Sequence, residues 1–352
     1  MRAPGYAVEP LTRFTQDLLA AAGLEAGKAE SVARLLVLTD MLGRHTHGVA
    51  LAPLYVGQLE TGGMSADGEP ECLKDTGATL VWDGRYLPGL WLVERALHLA
   101  FERLATHGVV TFAIRRSHHI ACLAALVKEA TDRGHLAILA TSDPAFGFVA
   151  PYGGSEPLLT PNPFAIGYPG RRTPVLVDIC ASITTVSMTR QKAAAGERFA
   201  HPWLMDSEGR PTADPRVLEG TEPRGSLLLL GGLEYGHKGF GLALMVEALT
   251  QGLSGLGRKD SEKRWGGNVF LQVIDPEAFA GREAFLDQMD FLTDRCHANA
   301  PLDEGRPVRM PGEQAERNIA AAREHGVPLA DGTVGKLAET AARLGVAMPA
   351  TL

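Results

Sequence analysis

The sequence predicts an α/β protein whose central sheet region lacks the Rossmann fingerprint and is flanked by helical material from both termini. Three observations predict it. From residue 78 onward, short apolar runs of strand length alternate with longer segments of helical apolar spacing. Both ends of the chain carry helical patterns only. Glycines at i, i+2 and i+5 occur nowhere: the nearest approach is Gly239-Phe240-Gly241 followed by Leu244, and GxxxxGK[ST] is also missing.

Each element follows from its pattern. Leu11, Phe14, Leu18 and Leu19 form one apolar stripe; Val32, Leu35, Leu36 and Leu38 form a second, with Gly23 and Gly27 between them. Gly43 ends the second helix, and a third carries Leu54, Tyr55 and Leu59 up to Gly62-Gly63. Residues 79–82, 109–114, 136–140, 174–179, 227–230 and 268–274 read as strands. Residues 90–106, 121–133, 241–256, 277–295, 312–325 and 333–344 read as helices. The Pro/Gly-rich stretch 142–170 reads as loop with short extended pieces. No repeat or low-complexity linker interrupts the order, so the termini are expected to pack together.

The 352 residues are 45% apolar and 21% charged, enough for two or three domains with a real core and unlike a disordered chain. A net charge of −7 argues against a nucleic-acid partner. No apolar stretch reaches the roughly 18–20 residues that span a bilayer, and MRAPGYAVEPLTRF does not read as a secretory signal. Cys72, Cys122, Cys180 and Cys296 lie far apart, in no metal-binding spacing, as expected of reduced, mostly buried thiols in a cytoplasmic protein.

Several clusters can carry chemistry. Arg44-His45-Thr46-His47-Gly48 closes a helix and sets a hydroxyl beside imidazoles, which titrate near an unperturbed pKa of about 6.5. Taken alone, it reads equally as a cap, an acid/base pair or two metal ligands. Ser117-His118-His119-Ile120-Ala121 follows a strand and opens a helix, where an open sheet places ligands and free N–H groups receive phosphate; Ser117 alternatively caps that helix. Ala150 to Gly154 and Thr160-Pro161-Asn162-Pro163 are turn segments that let backbone approach a ligand. Asp178 ends an apolar strand, where an Asp commonly caps the next helix or else hydrogen-bonds a ligand. Gly236-His237-Lys238-Gly239-Phe240-Gly241 precedes a long helix and offers an anion site at its start, or simply a cap and turn.

In that order these segments resemble the malate/L-lactate dehydrogenase family of the second, non-Rossmann type, from about residue 10 to 345. This group includes sulfolactate and ureidoglycolate dehydrogenases and cyclic-imine-2-carboxylate reductases. Its Ser-His-Gly is similar to Thr46-His47-Gly48, followed by Pro53 and Tyr55. Ser-Asn-His-Phe-Gly resembles Ser117 to Ala121, Gly-Thr-Asn-Pro resembles Thr160 to Pro163, and Asp-Met-Ala-x-Ser resembles Asp178 to Ser182. Lys-Gly-x-Gly stands as Lys238 to Gly241 and Pro-Gly-Glu as Pro311-Gly312-Glu313.

The resemblance implies a hydride transfer between NAD or NADP and a small 2-oxo or 2-hydroxy acid, with no metal. His47 is the implied proton donor and acceptor with Thr46 as its relay, and His119 serves either as proton acceptor or in cofactor binding. The implied cofactor contacts are His119, Ile120, Ala121, Cys122 and Leu123; Thr160 and Asn162; Asp178, Ile179 and Cys180; Lys238 and Gly239; Gly312 and Glu313. It further implies a homodimer and three domains: helical (1–56, 314–352), α/β (57–118, 290–313) and NAD(P)-binding (119–289).

Two positions depart from the family. Leu51 stands where many members carry a carboxylate-binding Arg, so either another cation, such as Arg44 or Arg190, binds a carboxylate or the substrate lacks one there. Met188 stands where imine reductases carry an acid. Three alternatives accompany the main reading: a cyclic 2-imino acid reductase, a metal-dependent hydrolase using His45, His47, His118 or His119 as ligands, and a non-catalytic interaction protein that keeps the fold.

Overall fold

A computed structural model describes residues 5–220, 222–260 and 263–352. The chain opens with strand β1 (Gly5–Tyr6) and helices α1 (Val8–Ala21) and α2 (Ala26–Met41); α3 (Ala52–Glu60) follows a 3-10 turn at Val49–Leu51. Next come β2 (Glu71–Asp75), β3 (Thr79–Asp83), α4 (Gly89–His107), β4 (Val109–Ser117), α5 (Leu123–Asp132), β5 (Leu136–Ser142), β6 (Pro163–Tyr168) and β7 (Val175–Cys180). After α6 (Val186–Ala194), three two-residue strands, β8 (Leu204–Met205), β9 (Pro211–Thr212) and β10 (Ser226–Leu227), form a small sheet. The chain continues through α7 (Gly232–Glu247), β11 (Gly267–Ile274), α8 (Arg282–His297), α9 (Glu313–His325), β12 (Val327–Pro328) and α10 (Asp331–Leu344).

The main sheet has seven strands in the order β2-β3-β4-β11-β5-β6-β7. Only β3 and β4 pair in parallel; the other neighbours are antiparallel. Strands β4 and β11 sit at its centre and are buried along most of their length, because α4 and α5 cover one face and α7 with the helical turn after it covers the other.

Register then gathers the motifs. Ser117 pairs with Gly267, Asn268 with Ser142, and Pro163 with Cys180. The carboxyl ends of β4, β5 and β7 and the starts of β6 and β11 therefore form one edge of the sheet, and the loops beyond it carry His118-His119, Asn162 and Trp265. Open sheets present ligand sites beyond such an edge.

The termini meet as expected: β1 pairs with β12, and the Leu352 N–H donates to the Gly5 carbonyl at 2.9 Å. One apolar core runs through both terminal helical segments and the sheet, from Tyr6 and Leu35 through Phe112 and Val269 to Leu337. A smaller core under the three short strands joins Val149, Phe199, Leu204, Leu227 and Ala243.

Three expectations are corrected. The Lys238-Gly239 motif lies inside α7, not before it, and the helix begins at Gly232. A Cβ on Gly239 would stand 2.5 Å from the Leu230 nitrogen, so this glycine permits close backbone approach and marks no turn. The 142–170 stretch contains a full strand, β6, with Pro163 at its first position, where no ladder donor is lost. Of the four thiols only Cys122 is buried, and Cys72 is exposed. The element reading also omitted β2, exposed at every residue and so without an apolar alternation, and α6.

Asn162 binds the site edge to α7. It adopts φ 48°, a left-handed conformation that Asn tolerates. Its buried amide donates to the Ala243 carbonyl (3.1 Å) and Glu247 (2.9 Å) and accepts from Thr160 Oγ1 (2.7 Å). Both Asn162→Ala and Asn162→Gly should lose about 2–3 kcal/mol in urea unfolding, since each leaves buried polar groups unpaired. Loss in the Ala variant alone would assign the effect to backbone strain and not to the amide.

Candidate active site

The loop after α2 is built on a buried carboxylate. Asp40 Oδ2 accepts the Val49 N–H at 2.7 Å, and Oδ1 lies 3.0 Å from His45 Nδ1. A Cβ on Gly48 would fall 2.1 Å from Asp40 Oδ2, so only glycine fits where the loop crosses the carboxylate. Burial raises the Asp40 pKa, and the His45 and Val49 bonds oppose that rise. His45 responds oppositely: its bond to Asp40 raises its pKa, and its side chain is about half exposed.

His47, two residues on, faces a different environment. The Thr46 hydroxyl lies 2.9 Å from His47 Nδ1, and Nε2 has no hydrogen-bond partner among the described residues. Burial lowers its pKa below 6.5; the nearby Asp178 carboxylate raises it and the Arg44 guanidinium lowers it again. His47 is therefore neutral at pH 7, one nitrogen oriented by a hydroxyl and the other free.

The loop after β4 brings a second cluster against it. The His119 ring centroid is 6.2 Å from that of His47, and its Nδ1 lies 2.9 Å from the Tyr55 hydroxyl of α3. Trp265 stacks on His119 at 5.0 Å and meets His118 edge-on at 4.8 Å. Burial in this aromatic nest pushes both His118 and His119 down to about 3, so both rings are neutral. His118 is fully buried, and neither ring nitrogen is hydrogen-bonded among the described residues.

Asp178 connects the loops. Its Oδ2 accepts the Ala124 N–H at 3.0 Å and lies 3.5 Å from Cys122 Sγ. It thus occupies the N-terminus of α5, where a carboxylate suits the helix dipole. The open helix start expected for a phosphate is already capped, and by Asp178 rather than Ser117, whose hydroxyl donates to the His118 carbonyl at 2.8 Å. Ile120, Ala121, Cys122 and Leu123 are all buried, so backbone is what they can offer a ligand. Ala121 holds φ +50° where the resembling motif has Gly, at a cost of about 1 kcal/mol.

The remaining expected residues lie along β7, an edge strand with Ile179 exposed at its outer end. Gly239 abuts Ala181, just past the end of β7. Gly312, at φ +104°, abuts Pro174 and Leu176 at its start, and the Pro311 carbonyl accepts from Leu176 N–H at 3.0 Å. Glu313 pairs with His297 at 2.6 Å and borders a cavity of about 450 Å³ with Tyr168, Arg172 and Arg317. Cys180 bonds toward Ser182, Lys238 is exposed beside Tyr235, and Thr160 and Asn162 are buried in the link to α7.

His45 turns to Asp40 while His118 points into the aromatic nest, so the four histidines do not converge on one ligand position. Among the described residues, the one grouping with metal-ligand spacing is Glu94, His98 and Glu129, elsewhere on α4 and α5. The hydrolase alternative is set aside on this geometry. Sequence reasoning left Asp40, Tyr55 and Trp265 out of the site. Tyr55 carried a signal in its fixed distance from Thr46-His47-Gly48; Trp265 lies 146 residues from His119 and carried none.

The sequence profile described as malate/L-lactate dehydrogenase matches residues 6–338. The chain is 30% identical to an L-lactate dehydrogenase of Cupriavidus necator over 89% of this chain and 90% of the relative. It superposes on a malate dehydrogenase of Pyrococcus horikoshii with TM-score 0.87 at 26% identity, covering 98% and 96% of the two chains. It also superposes on a delta1-piperideine-2-carboxylate reductase of Pseudomonas syringae with TM-score 0.83 at 25% identity, covering 96% and 99%.

The buried, neutral His118 predicts acid sensitivity. Between pH 6.5 and about 3 the unfolded chain binds a proton on this imidazole that the folded chain refuses, so stability falls as pH drops through that window. The slope from one such histidine is about 1.4 kcal/mol per pH unit. Urea midpoints of His118→Asn should fall less steeply from pH 6 to 4 than those of the unaltered protein; equal slopes would remove His118 from the account.

Proposed function

Because the chain belongs to the malate/L-lactate dehydrogenase family and is thereby an NAD(P)-dependent dehydrogenase, we propose that it interconverts a small 2-oxo acid and its 2-hydroxy acid, with His47 as the proton-transfer group. The observation that carries this reading is the neutral imidazole with Thr46 on Nδ1 and a free Nε2, beside Asp178.

The edge strand β7 fits a dinucleotide: among the described residues its outer backbone is engaged only at Leu176, and its length links the His47 end of the site to the cavity beside Glu313. We assign Asp178, Ile179 and Cys180 to the end near His47, with Lys238 and Gly239 beyond it, and Gly312 and Glu313 to the far end. We place the cofactor-binding unit at 119–289. Nicotinamide, when bound, supplies or accepts the hydride at the substrate carbon.

In oxidation, His47 Nε2 takes the hydroxyl proton while Thr46 holds the ring; in reduction, protonated His47 returns it to the carbonyl oxygen. Tyr55 and Trp265 fix His119 as a neutral polar wall opposite. Free thiols suit a reducing compartment such as the cytoplasm. Met188, exposed on α6, offers no acid to an imine substrate.

We also propose a homodimer. Leu230, Leu233, Leu244, Met245 and Leu253, on and around α7, are each more than 40% exposed, and large apolar side chains gathered along one element suit a subunit contact. Light scattering should report about 75 kDa, twice the 37.5 kDa chain; a 37.5 kDa particle would refute the dimer.

With 2-oxo acids and NADH or NADPH, absorbance loss should be visible, and His47→Ala should cut turnover by about 10²–10⁴-fold. Because the His47 pKa is lowered, kcat/KM for oxidation should rise with pH and level off below pH 6.5, whereas reduction should weaken above that point. Turnover near that of the unaltered protein in His47→Ala would end the assignment.

A further inference from the structure

We propose that Arg44 binds the carboxylate next to the reacting carbonyl of the substrate and so restricts the enzyme to 2-oxo acids. The inference rests on the dehydrogenase reading and specifies its substrate recognition. The Arg44 carbonyl accepts the His47 N–H at 2.9 Å, closing a turn that sets both residues on one short rigid segment. The Asp40 carboxylate anchors the same segment through Val49 and His45, so the turn does not drift. Arg44 is exposed, and among the described residues no carboxylate or aromatic ring engages its guanidinium. Its charge nevertheless reaches the His47 ring.

Four other arginines are already committed. Arg115 and Arg116 hold the buried Asp83. Arg264 donates to the Gly63 carbonyl at 2.8 Å and lies over the Tyr86 ring, and Arg190 lies over Phe148. Leu51, one turn further along, packs against the core and is uncharged. A planar guanidinium beside a proton-transferring imidazole matches a 2-oxo acid, in which carboxylate and carbonyl are adjacent; two parallel N–H···O bonds fix the carbonyl oxygen toward His47.

The test compares the unaltered enzyme with Arg44→Gln, Arg44→Lys and Arg264→Gln, using pyruvate, oxaloacetate and pyruvamide. Arg44→Gln should raise KM for both acids about 10- to 100-fold, the effect of losing a charge-assisted contact, with kcat changed less than about threefold. Arg44→Lys should recover part of the loss, and KM for pyruvamide should not respond to the substitution. The pH profile of kcat/KM should also move upward in Arg44→Gln, because His47 loses a positive neighbour. Unchanged KM for the acids in Arg44→Gln, or a rise in Arg264→Gln instead, overturns the assignment. If the unaltered enzyme reduces no 2-oxo acid with either cofactor, the dehydrogenase reading itself fails and the inference falls with it.

Discussion

The buried Asp40 carboxylate supports the loop from Arg44 to Val49, and the candidate site depends on that support. A carboxylate removed from water is costly unless its lone pairs are filled. Here the Val49 N–H and His45 fill them, while Gly48 leaves the room. Neighbouring histidines are thereby given opposite tasks. His45 turns back and bonds the anchor; His47, released from it, faces the sheet edge with a depressed pKa. One buried carboxyl group thus separates an imidazole bonded into the fold from one left open toward the sheet edge.

The second shell of polarity is neutral by construction. His118 and His119 sit against Trp265 and Tyr55, and burial prevents either ring from gaining a proton near neutral pH. Were they charged, they would repel a proton from His47, and Asp178 would have to compensate for three imidazoles instead of one. Asp178 itself is shared: it caps α5 and raises the pKa of His47, so the position of that helix and the protonation of the histidine are coupled through one side chain.

Glycines in this chain serve approach as much as turning. Gly239 lies inside a helix because α7 must touch the backbone of Leu230 and Ala181, and Gly312 brings the Pro311 carbonyl onto the Leu176 N–H. Local sequence cannot distinguish a glycine that ends a helix from one that lets the helix be crowded, since both look like a break in propensity. This is why Lys238 reads as a loop residue ahead of a helix and stands in the structure on an exposed face in the middle of one.

Apolar spacing alone determined the main helices, the central strands β3, β4, β5 and β11, and the meeting of the termini. The ordered motifs were enough to single out His47, His119 and Asp178. These are properties of local period and residue type, which the chain carries before it folds. Tertiary structure decided what those residues touch. Register across the sheet brought Ser117, Ser142, Pro163 and Cys180 to one edge, packing placed Trp265 on His119, and burial separated the pKa values of His45 and His47. Partners more than a hundred residues apart, and the exclusion of water from around them, exist only once the strands have paired.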